Sequence, residues 1–241
     1  MSDAPAIHVC GSHSIAGRPL FSSIDLKLPA GKCTCILGRS GVGKSTLLRR
    51  IAGLECAGVF TGHVTASDHD SLVGRIAFMA QSDLLLPWLS VLENVVLGAR
   101  LRGASPDMDR AKDLLGRVGL ARYHSHKPAA LSGGMRQRAA LARTLMEDCP
   151  IALLDEPFSA LDASTRADMQ DLSAQLLAGK TVVIVTHDPA EAVRLGHQIV
   201  VLTRDGAAPR HLPDTDPVRD QYAPDTIACQ AALLAQLRGL A

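Results

Sequence analysis

The fold of this chain is decided by the stretch Gly38-Arg39-Ser40-Gly41-Val42-Gly43-Lys44-Ser45-Thr46, which fits the pattern G-x-x-x-x-G-K-[ST] in full. Its glycines let backbone N–H groups crowd around phosphate oxygens, because no Cβ stands in the way. Lys44 is placed to reach the β- and γ-phosphates, and the Ser45 hydroxyl to coordinate Mg²⁺. The stretch therefore predicts a bound nucleoside triphosphate. It leaves open adenine or guanine as the base, and kinase or hydrolase as the activity.

The residues around this loop predict an α/β fold. Cys33–Leu37 is a short apolar run typical of a buried strand, and residues 45–52 have the periodicity of a helix. Further strands are predicted at 7–9, 24–28, 75–79, 151–154, 181–186 and 199–202, and helices at 91–101, 107–118, from 132, at 163–177 and near 227–237. Because residues 82–146 contain no convincing strand, we expect a mixed sheet core with an inserted helical subdomain.

Composition narrows the class of protein. The 241 residues are 47% hydrophobic with a net charge of +1, so the chain has a sizeable core and no basic field for nucleic acid. No apolar run reaches the roughly 18 residues of a membrane-spanning helix, and residues 1–5 lack the features of a secretory signal. The six scattered cysteines, including Cys33 and Cys35 on one strand, are expected to be free thiols in a reducing cytoplasm.

Two acids follow the predicted strand at 151–154. Asp155 emerges at the carboxyl end of that strand, where ligands of open α/β sheets bind. It can hold Mg²⁺, usually through water, and Glu156 is placed to polarise an attacking water as general base.

A second glycine-rich segment, Leu131-Ser132-Gly133-Gly134-Met135-Arg136-Gln137-Arg138, lies shortly before these acids. Ser132 and the two glycines open a helix with bare N–H groups, which is a second anion site. With Ser132 placed 23 residues before Asp155, the segment resembles the signature motif of ATP-binding cassette (ABC) ATPases. Gln81 and His187 resemble the lid glutamine and switch histidine of that family, and residues 159–162 resemble its interface loop. The resemblance covers about residues 7–205.

The resemblance implies a P-loop NTPase of the ABC type with ATP and Mg²⁺ as cofactors. Family members pair head to tail, so each nucleotide meets the phosphate loop of one subunit and the signature helix of the other. In one subunit the nucleotide would be bound by Gly38, Arg39, Ser40, Gly41, Val42, Gly43, Lys44, Ser45, Thr46 and Gln81. Mg²⁺ would be held by Ser45, Gln81 and Asp155, with Glu156 and His187 catalytic, while Ser132, Gly133 and Gly134 would serve the partner's γ-phosphate.

One ABC ATPase domain is accordingly expected over residues 1–241. Its catalytic core would comprise about 1–80 and 147–210, its helical subdomain about 82–146, and its tail and final helix about 211–241. One departure from the family is the absence of an aromatic residue in the stretch 11–19, where many members stack adenine. Ile15 falls at or near that position, which predicts looser selectivity for the base.

Residues after Gln81 favour an importer subunit. The run 82–95 contains the sole tryptophan, Trp88, and several leucines where cassettes of this family receive a helix of the membrane subunit. Its Leu-Pro-Trp pattern resembles importer cassettes for nitrate, sulfonates, taurine and thiamine precursors, and the last of these most. A homodimer or a paralogous pair is expected, peripheral on the cytoplasmic face of the cell membrane. Its partners would be a membrane permease and, indirectly, a periplasmic or extracellular solute-binding protein.

Other functions are weighed against specific residues. An ABC exporter ATPase, or a non-transport ABC ATPase acting on a macromolecule, shares the same motifs and is the alternative. A small-molecule kinase is disfavoured by Ser132–Gly134, and a regulatory module without catalysis by the intact Lys44, Asp155, Glu156 and His187. The pair His124 and His126 is expected to be solvated loop residues rather than a metal site.

Overall fold

The computed structural model describes residues 4–239. The two ends of the predicted domain, residues 1–3 and 240–241, lie outside the described residues, and so do the first three of the residues 1–5 considered above. The chain divides into two compact units. The first comprises the chain up to Ile76, Pro150–Asp155 and the stretch from Ala178 onward, and the second comprises Ala77–Cys149 and Glu156–Leu177. The second unit therefore holds Glu156–Leu177 in addition to the segment predicted as a helical insertion.

The strands are β1 (Ile7–Ile15), β2 (Arg18–Leu28), β3 (Cys33–Leu37), β4 (Val59–Ala66), β5 (Ile76–Met79), β6 (Ile151–Asp155), β7 (Thr181–Val185), β8 (Gln198–Leu202) and β9 (Ala207–Arg210). The helices are α1 (Lys44–Ile51), α2 (Val91–Val95), α3 (Leu97–Leu101), α4 (Met108–Arg117), α5 (Gly133–Met146), α6 (Ala163–Leu176), α7 (Pro189–Leu195) and α8 (Pro224–Gly239). Short 3-10 turns lie at Ala121–Tyr123 and Pro128–Ala130.

An antiparallel sheet in the first unit has the order β2-β1-β4. Along β1 and β2, buried apolar residues alternate with more exposed polar residues over the paired ends at Ile7 and Leu28, as in a sheet with one solvated face. Ile7 lies opposite Leu28 and Val9 opposite Leu26, so one face presents a continuous apolar layer to the core. At the other end of the hairpin, Ile15 lies opposite Arg18.

A mostly parallel sheet in the same unit contains β6, β7, β3, β8 and β9 in this order. Every residue of β6 and β7 is buried, which matches the apolar runs at 151–154 and 182–185 that make up most of the two strands. Because β3, β6 and β7 run parallel, their carboxyl ends lie at one edge of the sheet. Gly38 and His187 follow two of these ends and Asp155 forms the third, so the topology collects them at that edge.

The second unit consists mainly of helices, with most of β5 at its start. α5 is its central element, because it packs against α2, α4 and α6 and buries Ala139, Ala140, Leu141 and Ala142. α4 begins at Asp107, whose carboxylate accepts a hydrogen bond from the Arg110 backbone N–H. α2 begins with a complete capping box between Ser90 and Glu93.

The Pro- and Asp-rich segment before α8 is anchored to α7. Arg219, only 6% exposed, donates from Nη1 to the carbonyls of Val193 (2.8 Å) and Gly196 (2.7 Å) at the end of α7. α8 packs against α7 and buries Thr226 and Leu233. Among residues 4–239, no helix combines the length and the apolar character that crossing a membrane requires.

The structure adds elements that the sequence pattern did not predict and divides one that it did. β4 was missed because most of its residues are exposed and Gly62 interrupts its pattern, and β9 because Pro209 interrupts a short edge strand. α7 was missed as well. The helix predicted at 91–101 consists of α2 and α3, with Val96 between them in a non-helical conformation. The β-branched Val95 and Val96 and the following Gly98 all weaken a continuous helix here.

Candidate nucleotide site

The phosphate loop, residues 38–46, follows β3 and ends in the first turn of α1. Gly43 has φ 104°, and a Cβ added there would lie 2.8 Å from the Leu20 side chain, so only glycine fits. Lys44 is buried, and its Nζ donates to the carbonyls of Gly38 (2.7 Å) and Arg39 (3.1 Å). The lysine ammonium is therefore held inside the loop, where a phosphate bound by the loop would meet it.

Ser45 and Asp155 meet in the first unit, although they are 110 residues apart in sequence. The Ser45 hydroxyl donates to Asp155 Oδ1 at 3.1 Å, and the Asp155 side chain is buried. A hydroxyl and a carboxylate are the hard oxygen ligands that Mg²⁺ prefers, so this pair fits that ion.

An open cavity of about 520 Å³ lies beside the loop. Its lining consists of two segments, residues 39–42 of the loop and residues 202–205 after β8. A ligand could therefore bind against residues 39–42 of the phosphate loop.

Glu156 belongs to the second unit and has a positive φ of 49°, which is rare for a residue with a side chain. Such conformations concentrate at functional sites. Gln81 Nε2 donates to Glu156 Oε2 at 3.3 Å, so the structure brings the predicted lid glutamine to the predicted general base. The Gln81 amide oxygen is not used in this bond and can serve a cation.

Gln137 was not predicted as a site residue, although it lies in the quoted signature segment. It is 6% exposed and donates from Nε2 to the Glu156 carbonyl (2.9 Å) and to the Ser159 hydroxyl (3.3 Å). Its Oε1 accepts from the Ala160 backbone N–H at 2.8 Å. Gln137 therefore ties α5 to the base and to the predicted interface loop. The sequence signal for this role was its position: Gln137 lies about one helical turn after Gly133 and Gly134, so it could have been predicted to lie near the site.

The signature residues open α5. Ser132 is the N-cap, and its hydroxyl accepts from the Met135 backbone N–H at 3.3 Å. A Cβ added at Gly133 would meet nothing within 4 Å, whereas one at Gly134 would lie 3.1 Å from the Ala160 carbonyl oxygen. The start of α5 is consequently bare at Gly133 and closely packed at Gly134.

His187 is exposed on the short loop between β7 and α7. The residues on both sides fix this loop: the Asp188 N–H donates to Thr186 Oγ1 at 3.0 Å, and Asp188 caps α7 through the Ala190 N–H. The backbone on either side of His187 is thus held in place at the edge of the sheet.

The remaining sequence patterns give no site of their own. A hydrogen bond with Cys33 and burial raise the pKa of the Cys35 thiol well above its usual value, and all six cysteines are free. His124 Nδ1 lies 3.0 Å from the Ala121 carbonyl oxygen, and His126 stacks edge-on against Tyr123. Within the described part of the chain, no group of three or more ligating side chains is arranged for a metal ion.

The segment after Gln81 presents apolar side chains to solvent. Trp88 is 66% exposed and Leu84 61% exposed, while Leu85 is buried beside them. Ile15, at the end of β1, is 39% exposed. Leu20 and Phe21 on the following strand lie against Gly43, so this hairpin adjoins the phosphate loop.

Known proteins are similar to this chain in sequence and in fold. The family model described as "ABC transporter" matches residues 21–159, more than half of the chain. An uncharacterized ABC transporter ATP-binding protein of Haemophilus influenzae is 43% identical, in an alignment that covers 92% of this chain and 94% of that protein. The aliphatic sulfonates import ATP-binding protein SsuB of Delftia acidovorans is 40% identical over 97% of this chain and 95% of its own length.

A solved dimeric ATP-binding cassette in a post-hydrolysis state, bound to ADP and phosphate, superposes with a TM-score of 0.72 at 31% identity. The superposition covers 89% of this chain and 99% of that chain. These comparisons confirm the predicted fold class, ATP binding and ATPase class. The chain belongs to the ABC transporter family, as one of its ATP-binding subunits.

Proposed function

We propose that the chain is the ATP-hydrolysing subunit of an importer, and that it works as a head-to-tail dimer on a separate membrane permease. The observation that carries the proposal is the contact between Ser45 and Asp155, which joins the phosphate loop to the acidic strand end. The sulfonate importer subunit of Delftia acidovorans aligns with 97% of this chain, so the exporter and non-transport alternatives are not favoured.

Each predicted site residue has a role in this proposal. Residues 38–46 and Gln81 bind the nucleotide in one subunit. Ser45, Gln81 and Asp155 hold Mg²⁺, which when bound neutralises phosphate charge. Glu156 accepts the proton of the attacking water and His187 contacts the γ-phosphate. Ser132, Gly133 and Gly134 of the other subunit complete the site, because the helix N-terminus of α5 is suited to negative charge.

The whole chain would act as one ATPase domain, with its helical part contacting the permease through the exposed Trp88 and Leu84. The subunit would lie at the cytoplasmic face of the cell membrane as a peripheral protein. A solute-binding protein would deliver the solute to the permease. Because a relative is named for the import of aliphatic sulfonates, a small sulfonate is the first solute to test.

The importer function predicts that the Mg-ATPase activity rises when the membrane subunit is present. We expect a several-fold increase in phosphate release after reconstitution of the chain with its permease in proteoliposomes. Uptake of a radiolabelled alkanesulfonate should then require ATP inside the vesicles. A permease that binds the chain and leaves its ATPase rate unchanged would contradict the proposal. Uptake of nitrate or a thiamine precursor instead of the sulfonate would change the proposed solute and leave the proposed importer function intact.

A second prediction concerns the base of the nucleotide. Ile15 covers a base face without the stacking term of an aromatic ring, which is about 0.5–1.5 kcal/mol. We therefore expect GTP to displace a fluorescent ATP analogue with a Kd within about threefold of that of ATP. The Ile15→Tyr variant, measured in parallel, should bind ATP more tightly. A strong preference of the unchanged protein for ATP would refute the looser selectivity.

A further inference from the structure

The loop that follows Gln81 is tied to the signature helix α5 by a charged pair. Arg136 Nε donates to Asp83 Oδ2 at 3.0 Å, and Arg136 Nη1 donates to the Leu131 carbonyl at 3.0 Å. Both side chains of the pair are partly exposed, at 39% and 31%. Arg136 therefore bridges the loop and the backbone just before the signature serine.

A second arginine of α5 holds the backbone of the same loop. Arg143 Nη2 donates to the Asp83 carbonyl at 2.7 Å, and Arg143 Nη1 donates to the Leu84 carbonyl at 2.8 Å. Burial lowers the pKa of Arg143, and the charges of Asp83 and Glu147 act against this effect. Arginine remains charged in proteins, so both bonds are charge-assisted.

These bonds fix an uncommon backbone conformation. Leu84 has φ 46°, in the left-handed region that a leucine rarely adopts. Arg143 bonds the carbonyl of Asp83, which precedes Leu84, and the carbonyl of Leu84 itself, so it holds the backbone on both sides of the Leu84 N–Cα bond. Within the loop, the Leu85 backbone N–H also donates to Asp83 Oδ1 at 3.0 Å. Since a single residue in the left-handed region persists only where its surroundings determine it, α5 and this local bond together position the loop.

The fixed loop continues into the segment with Trp88. Asn94 is fully buried, and its Oδ1 accepts from the Leu86 N–H at 2.7 Å. Its Nδ2 lies within 3.4 Å of the carbonyls of Leu86, Leu89 and Ser90. Trp88 is thus carried by a segment that is hydrogen-bonded on both sides of it.

In its first turns, α5 also contacts residues proposed to act at the ATP site. Gln137 donates to the Glu156 carbonyl and the Ser159 hydroxyl, and Ser132 caps the helix at the predicted γ-phosphate contact. Arg136 lies next to Gln137, and Arg143 lies seven residues further on, two helical turns along. One helix, α5, therefore contacts both the proposed general base Glu156 and the loop that leads to Trp88.

We propose that Asp83, Arg136 and Arg143 are positioning residues that transmit movement of α5 to the exposed apolar segment at Leu84 and Trp88. ATP binding displaces α5 through Ser132 and Gln137, and the two arginines move the loop with it. The inference rests on the proposed function, because it presumes that ATP binding reaches the signature residues of a partner copy. It adds the residues by which the nucleotide site controls the permease-contacting surface.

Trp88 makes the proposal measurable in the purified chain, because it is the sole tryptophan. The Glu156→Gln protein is titrated with Mg-ATP while acrylamide quenching of Trp88 emission is recorded. ATP affinity and dimer mass are measured on the same samples. In the Glu156→Gln background we expect ATP to change the quenching constant.

Loss of the charged pair between Asp83 and Arg136 should reduce the response of Trp88 to ATP and leave ATP binding nearly unchanged. For Arg136→Gln or Asp83→Asn we expect the ATP-dependent change in quenching to fall at least about threefold, with the ATP Kd altered less than about twofold. The double variant should lose no more than either single variant. Asp83→Glu, which keeps the carboxylate, should retain the response. Arg117→Gln is the matched control, because Arg117 bonds Gln175 elsewhere in the same unit.

The outcomes separate this inference from the function on which it rests. A Glu156→Gln protein that neither binds ATP nor dimerises would overturn the proposed function. A protein that binds ATP and dimerises, but whose Trp88 response is the same in Arg136→Gln as in Arg117→Gln, would overturn the link through Asp83 and Arg136. Thermal unfolding of each variant verifies that its fold is intact.

Discussion

Glu156→Gln is expected to bind ATP, to hydrolyse it at least about 100-fold more slowly than the unchanged protein, and to accumulate as a dimer. The substitution keeps the shape of the side chain and removes its capacity to accept a proton. General-base catalysis contributes about 10²- to 10⁴-fold in enzymes, so the loss should fall in that range. The contact with Gln81 can persist, because an amide oxygen accepts the Gln81 N–H as the carboxylate does.

Single-turnover hydrolysis of radiolabelled ATP measures the chemical step without the influence of product release. Light scattering after gel filtration gives the mass with and without Mg-ATP. Glu147→Gln is the matched control, since Glu147 pairs with Arg102 in the same unit. Full turnover in Glu156→Gln would show that another group is the base.

The second large effect is expected from a pair of variants that damage opposite halves of the site. Lys44→Ala removes the ammonium that is held by the Gly38 and Arg39 carbonyls, and we expect ATP binding and hydrolysis to be lost. Ser132→Arg places a bulky side chain at the N-cap of α5, where the partner's γ-phosphate is proposed to lie. It should leave ATP binding to the phosphate loop and abolish hydrolysis.

Much of the first unit could be predicted because its signals are local. The apolar run of β3, the glycine loop and the periodicity of α1 are contiguous, and each has a physical cause within a few residues. The meeting of Ser45 and Asp155 could be anticipated despite their separation, since parallel strands place their carboxyl ends at one edge.

Long-range contacts between side chains could not be predicted in the same way. Nothing in the pattern of residues 82–89 indicates that Asp83 pairs with Arg136, or that Arg143 donates to the Leu84 carbonyl. The roles of Gln137 likewise depend on where α5 lies relative to Glu156 and Ala160. Such contacts follow from packing of helices, which the periodicity of a single helix does not specify.

The missed strands show a different limit. Periodicity reveals a strand through the contrast between its two faces, and β4 has little contrast because most of its residues are exposed. The pairing of β4 with β1 stabilises it instead, through backbone hydrogen bonds that any sequence can make. The exposure of Trp88 depends on how the residues around it pack, so its place after Gln81 in the sequence does not determine it.

The central claim, a site completed by a second copy of the chain, is tested most directly by mixing Lys44→Ala with Ser132→Arg and measuring phosphate release. In a mixed dimer the intact phosphate loop of one variant meets the intact signature helix of the other. Each variant alone should be inactive. In an equal mixture about half of the dimers are mixed, and each mixed dimer holds one intact site out of two. The mixture should therefore recover up to about a quarter of the activity of the same amount of unchanged protein. A mixture as inactive as its two components, in samples shown to exchange subunits, would contradict a site shared between two copies.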